Sequence, residues 1–124
     1  MTCVVIPVAS ECELGAVEDL LWETFSRSLS ALEQGAPVVL LVDDGALAGD
    51  ASPAASALAA GALGLGRALA LEGAAQGWRI NVVSAPAAAS REDVEAWVER
   101  LGDPHGASGA VLRLGTRHQG RNPL

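Results

Sequence analysis

The sequence predicts a three-layer α/β domain with four parallel strands in the order β-α-β-α-β-α-β. Two observations carry this expectation. Short β-branched apolar runs alternate with segments of helical period, which implies right-handed crossovers between parallel strands. The apolar runs also lack polar alternation, as strands do when helices cover both faces of a sheet.

Thr2–Val8 is the first such run and reads as a buried strand. Residues 11–34 then read as a helix. Leu14, Val17, Leu21, Phe25, Leu29 and Leu32 recur at spacings of three and four and so share one face. Gly35 and Pro37 end it. Val38–Val42 is the second strand, stopped by Asp43-Asp44-Gly45, and residues 46–51 read as a loop of small residues. Ser52-Pro53 places an N-cap and a first-turn proline ahead of a helix that runs to about Ala75. Trp78–Ser84 is the third strand. Ser90-Arg91-Glu92-Asp93 resembles a capping box for a helix to about Leu101, with Val94, Trp97, Val98 and Leu101 inward. Residues 102–108 form a loop, Ala110–Leu114 the fourth strand, and a polar tail follows.

A chain of 124 residues makes one domain, spanning 1–124. Half of its residues are hydrophobic but only 3% are aromatic, so the core is built from Ala, Leu and Val. A net charge of −7 repels phosphate backbones and argues against nucleic acid as a partner. Cys3 and Cys12 form no disulfide framework, and with His105 and His118 they match no metal-ligand spacing, so no metal is expected. No signal-peptide pattern opens the chain, and a cytoplasmic location is expected. The stretch from Pro53 to Leu71 is apolar enough to raise the question of a membrane span. It is rich in Ala and Gly and interrupted by Arg67, so a buried helix of a soluble domain is the expectation, with no membrane partner. Ser56 and Arg67 are its only polar side chains. A helix on the outside of a lone domain carries a polar stripe; this one reads as buried on two sides, against the sheet and against another chain.

Three linked segments carry a family resemblance. Gly64-Leu65-Gly66-Arg67-Ala68-Leu69-Ala70-Leu71-Glu72 resembles the active-site helix of the short-chain dehydrogenase/reductase family. Gly77-Trp78-Arg79-Ile80-Asn81-Val82-Val83-Ser84 resembles its next strand. Glu92-Asp93-Val94 and Ser108-Gly109-Ala110-Val111-Leu112-Arg113-Leu114 resemble its last helix and strand. Residues 1–36 match less well. The resemblance implies a truncated Rossmann-like domain, the C-terminal half of that fold.

The departures from the family bear on function. No G-x-G-x-x-G follows a strand; Gly61, Gly64 and Gly66 fall inside a helix, where they permit close packing. The family's Tyr-x-x-x-Lys register falls at Ala55 to Ala59, and the sequence contains neither Tyr nor Lys. The family's catalytic Ser would lie near Val42 or Asp43 and its helix Asn near Val17, and neither is matched. In the family the phenol donates a proton to the carbonyl oxygen, and Ala cannot. The expectation is therefore no catalytic residue, no cofactor and no cofactor-binding residue. The resemblance further implies assembly through the first two helices. Leu21, Phe25, Leu58, Ala62, Leu65 and Leu69 are the expected partner interface. The expected partner is a full-length short-chain dehydrogenase/reductase, a ketoreductase, or a second copy.

In an open parallel sheet ligands sit beyond the carboxyl ends of the strands. Here those ends carry Glu11, Glu13, Asp43, Asp44, Ser84, Thr116 and His118. These read as a solvated acidic rim, or as Asp capping a turn. A hard-metal or acid/base site, hence a small-ligand-binding protein or enzyme using that rim, is the alternative. His105 and His118 stand alone on polar segments, and Ser56, Ser84 and Ser108 have no paired base at motif spacing.

Overall fold

The computed structural model describes residues 2–103 and 106–115. Its strands are β1 (Val4–Pro7), β2 (Val38–Asp43), β3 (Ile80–Ala85) and β4 (Val111–Arg113). The helices are α1 (Val17–Glu33), α2 (Asp44–Leu47), α3 (Pro53–Glu72) and α4 (Arg91–Leu101). All strand pairs are parallel, and the sheet order β1-β2-β3-β4 follows the chain. This is the Rossmann-like three-layer arrangement that the strand and helix pattern predicts.

Strand alternation divides the core into two layers. Ile6, Val38, Leu40, Val42, Ile80 and Val82 turn to the face covered by α1 and α3. Val39 and Val83 turn to the opposite face, where Val98 and Leu101 of α4 meet them. The α3 helix lies close to the sheet because Gly66 carries no side chain. A Cβ there would stand 3.0 Å from Val82 Cγ2.

Apart from shifts of one to three residues, as where β1 starts at Val4 and α3 ends at Glu72, the boundaries differ from the sequence expectation at three elements. The first helix starts at Val17, after a 3-10 turn at Leu14–Ala16, and neither start carries a side-chain cap. Its first-turn Glu18 and Asp19 still favour the helix dipole. Residues 44–47 are helical where a loop is expected. Asp43 leaves β2 in extended conformation, and its Oδ2 accepts the Ala46 N–H at 3.0 Å, so the acidic turn signal is in fact an N-cap. The third strand begins at Ile80 because Trp78 N–H is held by the Gly73 carbonyl at 3.0 Å.

The expected caps at Ser52 and Ser90 are present. Ser52 Oγ accepts from Ala55 N–H and Ser90 Oγ from Asp93 N–H, both at 3.1 Å. Asn81, 2% exposed, ties β3 to the last connection. It donates to the Ala107 carbonyl at 2.8 Å and accepts from Ala110 N–H at 2.9 Å. Ser108 adds a link by donating to the Trp78 carbonyl at 3.2 Å.

Candidate functional site: the strand ends and an apolar outer face

The carboxyl ends of β2, β3 and β4 converge on one carboxylate. Ser84 and Arg113 are register partners on neighbouring strands and so point the same way. Asp44, the first residue of α2, reaches down between them. Its Oδ1 accepts from Ser84 Oγ at 2.7 Å and from Arg113 Nε at 3.3 Å. Asp44 and Ser84 are both 0% exposed, and the Arg113 side chain is 14% exposed. The guanidinium and hydroxyl offset the cost of burying the charge. This cluster closes the top of the sheet; Asp44 and Ser84 are sealed from any solute.

The other strand-end acids have local roles. Asp43 caps α2. Glu11 accepts from Ser52 Oγ, which ties the first connection to the start of α3. Glu13 is exposed. Thr116, His118 and His105 lie outside the described residues. Among the described residues no three His, Cys, Asp or Glu side chains come together as a metal would require. Ser56 Oγ is buried without a hydrogen-bond partner among the described residues. Burial pushes the Cys3 thiol above its ordinary pKa, and the Arg79 guanidinium partly offsets this, so the thiol stays protonated at neutral pH.

A second feature is the outer face of α1 and α3. The exposed positions of α3 include Ala57, Ala60, Gly64 and Ala68, spaced by three and four along one line. Leu71 at the end of that line is 80% exposed. On α1, Trp22 is 68% exposed, and its ring packs tilted on Phe25 with centroids 5.6 Å apart. Leu21 closes the seam between the helices. A Cβ at Gly61 would fall 2.8 Å from Leu21 Cδ2, so the glycine is what lets α1 approach α3 here. The result is a shallow surface of small residues bordered by two large exposed apolar side chains, broken by Arg67. By length and composition α3 could cross a membrane, and half of its apolar window is buried inside the protein.

Of the residues expected at a partner interface, Leu58, Ala62 and Leu69 lie in the chain's own core. Leu21, Phe25 and Leu65 are half-buried against it. The outward apolar positions of the same helices are Trp22, Ala57, Ala60, Gly64, Ala68 and Leu71; α1 also exposes Glu18, Asp19, Glu23, Ser26, Arg27, Ser30 and Glu33, and α3 exposes Arg67 and Glu72. Sequence reasoning missed the apolar ones because a helix this uniformly apolar gives no contrast from which to read its outer side. The signal available was size. That signal is partial: Leu58, Leu63 and Leu69 are buried but Leu71 is exposed, and Ala and Gly fall on both sides of the helix.

A scan against protein-family models finds no match to this chain, and a search of curated proteins finds none.

Proposed function

We propose that this chain is a non-catalytic subunit that assembles, through the outer face of α1 and α3, with a full-length short-chain dehydrogenase/reductase, and that the partner is a ketoreductase. The observation that carries the reading is the outer line of α3, where Ala57, Ala60, Gly64 and Ala68 offer backbone-close apolar surface flanked by exposed Trp22 and Leu71. Exposed aromatic side chains beside smooth apolar surface mark association sites. Two further points support the reading. The Rossmann-like topology is compatible with the resembled family, and the sequence has no Tyr or Lys with which to perform that family's proton transfer. The chain acts on its partner's stability and on the geometry of its substrate site, not as a source of reacting groups.

Gly64→Glu tests the interface. Gly64 is exposed, and a Cβ there meets nothing within 4 Å. Replacing glycine by glutamate inside a helix raises helix propensity, so the fold should hold. A carboxylate buried unpaired at an interface costs more than about 1.4 kcal/mol, which is tenfold in affinity. When the chain is co-expressed with a reductase encoded beside its gene, the wild-type chain should co-purify in a complex of defined mass. Gly64→Glu should lose the complex at least about tenfold more readily on dilution while keeping its thermal melt. An unchanged complex would place the contact elsewhere. A complex of two copies without reductase would make the partner the chain itself.

A further inference from the structure

We infer that the free edge of β1 and the groove beside it take up an extended, basic polypeptide segment as an added strand. The edge is open among the described residues. Val4 and Val8 donate to the Pro37 and Leu41 carbonyls of the β2 side at 2.8 Å each. By strand alternation Cys3 and Val5 turn their N–H and C=O groups outward, and Pro7 turns out a carbonyl alone. The missing donor at Pro7 shortens the usable edge to Cys3 and Val5 with a terminal acceptor.

Side chains alternate as well. Val4, Ile6 and Val8 enter the layer under α1 and α3, whereas Cys3 and Val5 lie on the α4 face. On that face α4 leaves a groove of about 740 Å³. Cys3, Val5 and Leu41 form its floor, with Val94 and Val98 on the wall. Val5 is 37% exposed there. Three carboxylates, Glu95, Glu99 and Asp103, line the groove with one guanidinium, Arg91, which pairs with Glu95 at 3.0 Å; a second, Arg79, donates to the Gly102 and Asp103 carbonyls at the rim.

This surface specifies an occupant. Open backbone groups favour an added strand, whose main-chain hydrogen bonds give affinity and whose alternate side chains give selectivity. The apolar floor and the carboxylates lie on the same α4 face, so every second residue of the occupant faces both. On a chain of net charge −7 those positions ask for Lys or Arg, with the aliphatic stem on the floor and the charge at the carboxylates. A second copy fits less well, since it would bring the same acidic wall against its own image. The groove lies on the α4 face of the sheet, opposite the face that α1 and α3 cover, so the inference does not rest on the reductase reading.

The probe is a dye-labelled heptapeptide of alternating valine and lysine, followed by fluorescence anisotropy, with a valine–glutamate heptapeptide as the control. The lysine peptide should bind at least about tenfold more tightly than the glutamate peptide. Val5→Pro removes an outward donor that β2 does not use, and Glu99→Lys reverses a charge on an exposed helix position. Each should weaken binding by about tenfold. If Val5→Pro fails to fold by circular dichroism, Glu99→Lys decides. Absence of binding, equal binding of the two peptides, or binding undiminished in Glu99→Lys would overturn the inference. So would self-association abolished by Val5→Pro, which would make the occupant a second copy.

Discussion

Asp44→Ala should destabilise the protein by about 3–5 kcal/mol, the largest loss expected from a single side chain here. The carboxylate is 0% exposed and takes hydrogen bonds from Ser84 and Arg113 through one oxygen. Removing it takes the carboxylate from a guanidinium that is 14% exposed and from a hydroxyl that is fully buried. Breaking a buried charge pair costs far more than the intact pair contributes net, so the loss exceeds that of an ordinary hydrogen bond. Asp43→Ala, one residue earlier, removes only the cap on Ala46 N–H and should cost about 1 kcal/mol. Urea unfolding of the two variants checks the contrast. Arg113→Leu added to Asp44→Ala should recover part of the loss, because it removes the guanidinium that has lost this carboxylate. Equal, small losses for Asp43→Ala and Asp44→Ala would mean that the cluster does not hold the strand ends.

Gly73→Ala should cost about 1–3 kcal/mol although the backbone there suits any residue. Gly73 has φ −91° and ψ 6°, outside the left-handed region. What excludes a side chain is Trp78. A Cβ on Gly73 would stand 2.3 Å from Trp78 Cε3 and 2.7 Å from Trp78 Cβ. Because the Trp78 Cβ itself is in the way, rotating the indole does not clear the clash, and the chain around Trp78 must move. That movement strains the hydrogen bond from Trp78 N–H to the Gly73 carbonyl and the entry into β3. Thermal unfolding should show a drop of roughly 5 to 15 °C for this variant. Gly64→Ala, where a Cβ meets nothing, should leave the melting temperature unchanged or raise it.

Long-period patterns were legible in the sequence, and side-chain pairings across the sheet were not. The apolar runs around Val38–Val42 and Ile80–Val83 mark buried strands directly, and Ser52-Pro53 and Ser90 mark helix starts that the structure places at the same residues. The site is another matter. Asp43 and Asp44 are adjacent acids with the same side chain, yet one caps a helix turn and the other is buried against residues forty and sixty-nine positions away. Nothing local distinguishes them; only the register of β3 with β4 brings Ser84 and Arg113 together. The outer face of α3 posed a similar problem. The leucines of a nearly all-apolar helix attract attention first, but Leu58 and Leu69 fill the core, and the surface belongs to Ala57, Ala60 and Gly64. Trp22 stands out only once α1 is docked, since Leu21 and Phe25 beside it turn inward.

On the function proposed above, this chain supports a partner's chemistry without supplying any of it. The test is the rate of carbonyl reduction by a full-length reductase that co-purifies with this chain, assayed alone and together with it. The reductase alone should be poorly soluble or weakly active, and adding this chain should restore it. The restored rate should survive Asp43→Ala in this chain to within about tenfold, or ~1.4 kcal/mol in barrier, and should vanish when the partner's own catalytic tyrosine is replaced. A reductase that is fully active alone would contradict the claim. So would a restored rate lost on Asp43→Ala while the complex stays intact, which would make this chain's acidic strand end part of the reaction.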